Sequence, residues 1–268
     1  MSDEIPLFDS HGGATLDGTW LGGRAGLTVA ALRAQMTGAG FMGGLVQGLP
    51  GVSGYEHEAF AAAVKREKAL FPVAAWNGTP EESSAAHLAR LKTLGFAGIH
   101  AHPRLAGVGP DKAPFATLMR TAGQADFPVF FCSYQFADAS AGLPTDPLPA
   151  LSDALRQAPG ARLVLLHGGT VEVLRYAEFC RANPRVLLDL SFTMMRYAGS
   201  SVDLDLNYIC RTLDRRICIG TDAPEFSHAE VRTRFDALTG ALPREKRVNI
   251  AGRSLTRFLG LDLYPAGD

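Results

Sequence analysis

The sequence predicts a single (β/α)8 barrel, the TIM-barrel class of α/β fold, from three observations. The chain has 268 residues, and eight βα units in one barrel occupy ~250 residues. Short apolar runs such as Leu163–Leu166 are typical of parallel strands that are covered on both faces. Eight such runs end 22 to 36 positions apart, which is the rhythm of repeated βα units. The residues at their ends are His11, Gln47, Trp76, His102, Cys132, His167, Asp189 and Asp222.

The bulk composition is that of an ordinary globular protein and narrows the choice of partner. Hydrophobic residues make up 47% of the sequence and charged residues 20%, and no linker divides it, so we predict one domain over residues 1–268. A formal net charge of -1 gives no general attraction to nucleic acid or to an anionic membrane. We therefore expect a small-molecule substrate, and neither nucleic acid nor a membrane, as the partner.

Several signals predict a cytoplasmic protein. Residues 1–6 are acidic and lack the apolar segment of a signal peptide. The longest uncharged stretch, residues 34–55, is interrupted by glycines and by Pro50, unlike a membrane-spanning helix. The four cysteines form no Cys-x-x-Cys pair, which favours reduced thiols over a disulfide framework.

The amino-terminal half alternates strand and helix signals. The first apolar run ends on Asp9-Ser10-His11, and the two-residue period of a strand puts Asp9 and His11 on one face. The segment from Thr79 to Glu82 combines an N-cap, Pro at the first helical position and acidic residues, so it predicts a helix start. The elements predicted here are strands at 5–11, 44–47 and 71–77 and helices at 27–36, 55–68 and 79–94.

The carboxyl-terminal half continues this alternation. Strand periodicity puts His100 and His102 on one face of the fourth strand. The last strand delivers Asp222 to the sheet edge, where Pro224 ends the pairing because it has no N–H to donate. Ser227-His228-Ala229-Glu230 then has the spacing of a capping box. The elements predicted here are strands at 98–103, 128–134, 162–169, 186–191 and 217–222 and helices at 113–123, 151–157, from 170, 204–213, from 227 and 244–259.

Five strand ends carry short motifs of His, Asp and Gly. These motifs are Asp9-Ser10-His11, Gly98-Ile99-His100-Ala101-His102-Pro103, Leu165-Leu166-His167-Gly168-Gly169, Leu188-Asp189-Leu190-Ser191 and Gly220-Thr221-Asp222-Ala223-Pro224. Together they resemble the amidohydrolase superfamily, and more narrowly its branch of small-molecule hydrolases, lactonases and aromatic-acid decarboxylases. The resemblance covers nearly the whole chain and implies an active site at the carboxyl ends of the barrel strands.

The resemblance also implies a divalent metal, usually held by a His-x-His pair on the first strand, a His from a middle strand and the eighth-strand Asp. His11 and Asp222 match two of these positions, and His167 matches the sixth-strand motif. Gly13 stands where the second His of the pair is expected. Cys132 stands where the branch commonly has a His on the fifth strand.

Ligand chemistry leaves three ways to complete the site. A Zn²⁺ or Mn²⁺ ion needs three protein ligands and an open position, which His11, Asp222 and either His102 or His167 supply. Cys132, as a thiolate, and a His-x-His pair relocated to the fourth strand form a second set. In the third hypothesis the pocket is metal-free, Asp222 is the general base, and His167 or His11 polarises the substrate carbonyl.

The predicted site adds substrate-binding side chains to these groups. Asp222 and His167 are the candidate catalytic residues, and His11, His102 and Asp222 are the candidate metal ligands. Aromatic residues at the strand ends suit a flat ring, and arginines just beyond them suit a carboxylate. The candidate substrate-binding residues are Trp76, Arg104, Cys132, Tyr134 and Arg196.

The remaining polar residues receive structural interpretations. We expect His57, His87 and His228 at the surface, because they lie on predicted helices or caps. His100 is expected to be a hydrogen-bonded core residue, and Asp9 a carboxylate that supports the site from below.

These features predict an enzyme that hydrolyses a small carboxylated lactone, amide or related ring compound, with or without a divalent metal. The alternatives are a metal-dependent decarboxylase of an aromatic or unsaturated acid and a non-catalytic barrel that binds a ligand or partner. The resemblance further implies a homodimer.

Overall fold

Eight strands pair in parallel, each with the next in sequence, which confirms the predicted (β/α)8 barrel. A computed structural model describes residues 4–136, 139–261 and 263–264, and the first three residues of the acidic segment 1–6 lie outside that part. The strands are β1 Leu7–Gly13, β2 Phe41–Gln47, β3 Leu70–Trp76, β4 Gly98–Ala101, β5 Val129–Cys132, β6 Leu163–Leu166, β7 Val186–Asp189 and β8 Ile217–Cys218.

Backbone hydrogen bonds between β1 and residues 219–223 complete the barrel. The N–H of Asp222 donates to the carbonyl of His11 (2.7 Å), and the N–H of Gly13 donates to the carbonyl of Ala223 (2.9 Å). The last strand was predicted to run to Asp222, but this residue has a φ of 53°, which takes the chain out of strand geometry. The irregular seam places Asp222 beside His11.

Helices follow the strands and cover the outside of the barrel. The helix at His57–Arg66 is representative, because it buries Phe60, Ala61 and Val64 on the face toward β3. None of the described helices is long and apolar enough to cross a membrane. The helices are α1 Val29–Gly38, α2 His57–Arg66, α3 Ala85–Leu94, α4 Pro103–Ala106, α5 Ala113–Ala125, α6 Leu148–Gln157, α7 Val173–Ala182, α8 Thr193–Arg196, α9 Val202–Thr212, α10 His228–Thr239, α11 Arg244–Val248 and α12 Ser254–Leu259.

Two predicted helices away from the strand ends differ from the observed ones. The helix predicted from residue 79 begins only after a turn, where the hydroxyl of Ser84 accepts a backbone N–H of the first turn of α3 (3.2 Å). The helix predicted at 244–259 is interrupted because Gly252 has a φ of 151°. A Cβ at Gly252 would lie 2.5 Å from the Cβ of Phe8, so the close contact with β1 requires this glycine.

Candidate active site

A cavity of about 320 Å³ opens at the carboxyl ends of the strands. At ~30 Å³ per water molecule it has room for roughly ten waters, which places it at the small end of ligand pockets. A single-ring ligand suits this volume. The ionisable residues of its wall are His11, Arg24, His102, Arg104, Tyr134, His167, Asp222 and Glu225.

His11 and Asp222 form a hydrogen-bonded pair at the seam of the barrel. His11 Nε2 lies 2.9 Å from Asp222 Oδ1, and the side chain of Asp222 is 23% exposed. Burial opposes ionisation of Asp222, but the charge of His167 and the hydrogen bond from His11 outweigh it and lower the pKa of Asp222. Asp222 is therefore a carboxylate at neutral pH on the wall of the cavity.

His167 lies at the start of a sharp turn after β6. His167, Gly168, Gly169 and Thr170 all have positive φ, so this segment is a turn, although a helix was predicted from Thr170. A Cβ at Gly169 would lie 2.0 Å from the ring of Tyr176, which excludes any side chain at that position. The turn places the buried imidazole of His167 at the floor of the cavity.

Hydrogen bonds from β7 fix the orientation of His167. Both oxygens of the buried Asp189 accept, Oδ2 from the hydroxyl of Ser10 and Oδ1 from the hydroxyl of Ser191 and the backbone N–H of His167. Ser191 Oγ also lies 3.3 Å from His167 Nδ1. Because Ser191 gives its one hydrogen to Asp189, it accepts from His167, so Nδ1 carries a hydrogen and Nε2 is left for the cavity.

The pKa of His167 is raised and the pKa of Cys132 is lowered, and each group contributes to the shift of the other. Burial lowers the pKa of His167, but the charges of Asp222 and Cys132 outweigh it and raise the pKa to about 9. Burial raises the pKa of Cys132, but His102 and His167 outweigh it and hold the thiol pKa well below its ordinary value. The protonated form of His167 and the deprotonated form of Cys132 therefore stabilise each other.

His11, His167 and Asp222 form a candidate metal site. One donor atom from each lies within 4.8 Å of the others, and no other group of three His, Cys, Asp or Glu in the described part of the chain meets this criterion. Two imidazoles and a carboxylate are an adequate donor set for catalytic Zn²⁺ or Mn²⁺. His167 thus occupies the place in the group for which His102 was predicted.

Gly13 is packed so tightly that a ligand at this position is excluded. A Cβ there would lie 2.3 Å from Cη2 of Trp20 and 2.4 Å from the carbonyl oxygen of Ala223. The indole of Trp20 therefore fills the space next to β1 that a side chain at position 13 would need. Position 13 therefore supplies no fourth ligand to a metal held by His11, His167 and Asp222.

The two histidines of β4 and its end lie at different depths. His102 lines the cavity, and its Nδ1 accepts the N–H of Leu105 (3.3 Å), which caps α4. His100 is fully buried below it, and burial holds its pKa well below the ordinary value. The predicted burial of His100 is confirmed, but neither ring nitrogen meets the full geometry of a hydrogen bond among the described residues.

The five predicted substrate-binding residues separate into two groups. Arg104 and Tyr134 line the cavity, with the guanidinium carbon 4.5 Å from the ring centroid. Cys132 is 2% exposed and lies behind the wall, 3.9 Å from Arg104 Nη2. Trp76 is fully buried outside the cavity, where its indole N–H donates to Ser83 Oγ, and Arg196 is exposed outside the cavity wall. Trp76 and Arg196 therefore lie outside the lining of this cavity, unlike Arg104 and Tyr134.

Asp9 and His228 form a buried pair that no local sequence pattern predicted. His228 Nε2 lies 3.0 Å from Asp9 Oδ2, and His228 is 1% exposed, so the surface position predicted for it is wrong. His57 and His87 are half-buried rather than exposed. Asp9 also accepts from Thr221, and these bonds hold its pKa below the ordinary value despite burial. The predicted capping box is confirmed and starts α10 soon after the Asp222 turn, but it fixes only where the helix begins.

The fold and the site together define a class: a (β/α)8 barrel with a His, His and Asp cluster at the carboxyl ends of its strands. The sequence profile of the family described as amidohydrolase matches residues 20–253. The protein belongs to this amidohydrolase family, as the strand-end motifs predicted. A search of curated protein sequences finds no match.

Solved structures of low sequence identity share the fold. An uncharacterized TIM-barrel protein from Bordetella bronchiseptica is 17% identical with a TM-score of 0.76, covering 96% of this chain and 98% of that one. A probable 2-pyrone-4,6-dicarboxylic acid hydrolase from Acinetobacter baumannii, with citric acid bound, is 15% identical with a TM-score of 0.67, covering 96% and 100%. A dihydroxybenzoic acid decarboxylase from a Polaromonas species, with bound manganese and 2-nitroresorcinol, is 16% identical with a TM-score of 0.70, covering 97% and 98%. Hydrolases and decarboxylases thus both occur among the similar structures.

Proposed function

We propose that the protein is a hydrolase that opens a small carboxylated lactone, or cleaves a related amide or ring compound, with water activated by Asp222. The observation that carries this proposal is the cluster of His11, His167 and Asp222 on the wall of a cavity sized for one ring. Membership of the amidohydrolase family supports an enzymatic role. Arg104, stacked on Tyr134, supplies a guanidinium for the substrate carboxylate.

Each residue of the cluster has a distinct part in the proposed reaction. Asp222 takes a proton from water as the water oxygen bonds to the carbonyl carbon. His11 donates its Nε2 hydrogen to Asp222 and so orients the carboxylate. His167 polarises the carbonyl oxygen and then donates its Nε2 proton to the ring oxygen as the ring C–O bond breaks.

The same three residues fit a divalent metal. When bound, Zn²⁺ or Mn²⁺ supplies a Lewis acid and a water of lowered pKa. Because a ligating imidazole must be unprotonated at the ligating nitrogen, a metal competes with the Nε2 proton of His167. The pKa of about 9 therefore places metal binding and the acid role of His167 in opposition near neutral pH.

A decarboxylase is the second candidate, and it is favoured by the buried imidazole of His167 against the cavity, whose pKa is raised to about 9. An imidazolium on the cavity wall can deliver a proton to the ring carbon from which carbon dioxide departs. In this reaction Asp222 supplies no base for water, so the two candidates differ in their need for that carboxylate.

A substrate screen tests the two candidates. The probes are carboxylated five- and six-membered lactones and hydroxybenzoic acids, given to protein as purified, after chelation, and after loading with Zn²⁺ or Mn²⁺, with elemental analysis of each sample. We expect ring opening of at least one lactone without release of carbon dioxide. Carbon dioxide from a hydroxybenzoate with no lactone opening would establish the decarboxylase instead. Turnover of neither class would contradict both and leave a ligand-binding barrel.

A further inference from the structure

We infer that Phe192 is a positioning residue, whose strained backbone holds its ring against His167 so that the imidazole Nε2 faces the substrate. This inference rests on the proposed function and deepens it, because it names the residue that orients the proton donor. It depends on the backbone between β7 and α8, on the contacts of the Phe192 ring, and on the way three consecutive residues surround His167.

Phe192 lies in a tight turn with an unfavourable backbone conformation. Its φ is 59° and its ψ is -59°, and across it the N–H of Thr193 donates to the carbonyl of Ser191. This is the rare, strained form of the γ-turn. Phenylalanine, unlike glycine, has a Cβ that disfavours positive φ. Strained residues of this kind cluster at functional sites, which makes the turn a candidate part of the active site.

Most of the non-glycine residues with positive φ lie at the active site. The described part of the chain contains six such residues, of which three line the cavity and a fourth lies in the turn that contains His167. The four are His167, Thr170, Phe192 and Asp222, and the other two, Ala69 and Asp126, lie before β3 and after α5. The strain at Phe192 thus belongs to the same part of the molecule as the proposed acid and base.

The ring of Phe192 contacts the imidazole of His167 and is itself held by two other rings. Its centroid lies 5.8 Å from that of His167, at an interplanar angle of 70°. The rings of Tyr134 and Phe226 lie 5.5 Å and 6.0 Å from it. Edge-to-face contacts at these distances favour particular relative orientations of the rings. Phe192 is half-buried and lines the cavity, so it reaches both His167 and the space in which a substrate binds.

Three consecutive residues, Ser191, Phe192 and Thr193, contact different parts of His167. Ser191 Oγ lies 3.3 Å from Nδ1, the Phe192 ring lies against the imidazole, and the hydroxyl of Thr193 donates to the backbone carbonyl. In an extended strand, successive side chains point to opposite faces. The γ-turn breaks this alternation, which explains how three neighbours converge on one residue.

The Phe192 ring adds a restraint that the hydrogen bond does not supply. At 3.3 Å the contact between Ser191 Oγ and Nδ1 is long, so it restrains the imidazole weakly. His11, on β1, contacts the imidazole with its ring (5.1 Å), whereas Phe192 approaches it from the connection after β7. Without the Phe192 ring the imidazole gains space in which to turn away from the substrate. A displacement of ~1 Å at a reacting group lowers a rate by about 10²-fold.

Proton NMR of the imidazole tests the inference without a substrate. The Nδ1–H of His167 is enclosed against Ser191, so it should give a resolved downfield resonance, which is identified by its loss in His167→Gln. Phe192→Ala should remove this resonance, because a ring that turns exchanges its proton with water. Phe192→Leu keeps an apolar contact and should retain it. Phe136→Ala is the matched control, since Phe136 also contacts Tyr134 but is exposed and outside the cavity.

Thermal unfolding tests the strain separately. Phe192→Gly should unfold at least roughly 2 °C above Phe192→Ala, because glycine adopts positive φ without cost. The same two substitutions at Phe136, which does not have positive φ, should show the opposite order. An unfolding temperature of Phe192→Gly equal to or below that of Phe192→Ala would contradict strain at this position.

Kinetics with a lactone that the protein hydrolyses complete the test. Phe192→Ala should lower kcat by roughly 10²-fold and change KM by less than about threefold, and Phe192→Leu should recover most of the kcat. A raised KM at unchanged kcat would reduce Phe192 to a substrate contact and overturn the positioning role. So would a resonance that survives Phe192→Ala, or one that is missing from the unmodified protein.

The outcomes for Phe192 and for the proposed function are distinguishable. The NMR and unfolding measurements need no turnover, so the expected resonance changes without hydrolysis of any lactone would refute only the proposed hydrolysis. Lactone hydrolysis with a kcat that Phe192→Ala leaves unchanged would refute only the positioning role.

Discussion

Asp9 and Asp189, below the site, differ from Asp222, on its wall, in how many hydrogen bonds their carboxylate oxygens accept from the protein. Asp9 and Asp189 are completely buried, and both oxygens of each accept hydrogen bonds from protein donors. Asp222 is partly exposed, and its side-chain partner among the described residues is His11. Carboxylates saturated by protein donors stabilise the frame, whereas one with free acceptor capacity is available to a substrate, a water or a metal.

Among variants that test this comparison, we expect the largest effect from Asp222→Asn, which should lose activity. The amide keeps the shape but cannot take a proton from water, so we expect kcat/KM to fall by roughly 10³-fold. The free energy of unfolding should change by less than about 1 kcal/mol, because the residue serves the site rather than the frame. Kinetics and urea unfolding of the same sample measure both. Unchanged turnover and unchanged ligand affinity would show that Asp222 is not the base.

Asp9→Ala should show the opposite pattern, with a large loss of stability. The substitution leaves His228 and Thr221 buried without their acceptor, so the free energy of unfolding should fall by about 3 kcal/mol. His228→Ala completes a double-mutant cycle in urea, and the two losses should be clearly less than additive. A loss below about 1 kcal/mol for Asp9→Ala would mean that the saturated carboxylate does not stabilise the frame.

A smaller effect, on the pH dependence of activity, is expected at Ser191, which links the buried Asp189 to His167. His167 is protonated below its pKa of about 9, so activity that needs the imidazolium persists at neutral pH and is lost as pH rises through about 9. Ser191→Ala removes the acceptor of Nδ1–H, which should move this alkaline limb to lower pH by about half a unit. Ser191→Thr keeps the hydroxyl and should restore the limb. A uniform loss of activity at every pH would indicate a packing role alone.

The sequence predicted the positions of the polar strand ends because parallel strands bring their carboxyl ends to one edge. His11, His167 and Asp222 could therefore be grouped before any contact was known. The direction of individual side chains was harder to predict. The strand Leu70–Trp76 is apolar almost throughout, so no alternation indicated that Trp76 faces the helices, where it packs against Phe115.

His228 shows the limit of local signals in a different way. The capping box correctly located the start of α10, but it carries no information about which side of that helix meets the barrel. The partner, Asp9, is 219 residues away in sequence. Likewise, residues 20–24, between β1 and α1, have no strand or helix pattern in the sequence. Their position on the cavity wall depends on the contact of the Trp20 indole with Gly13.

The contact between Gly13 and Trp20 makes the order of mutations matter. Restoring a His-x-His pair by Gly13→His alone would force the new side chain into the indole and into the carbonyl of Ala223. Trp20 must first be replaced by a small residue, which also removes an aromatic wall of the cavity. The two substitutions are therefore epistatic, and an evolving lineage or a protein engineer would have to give up one binding surface before gaining a fourth ligand.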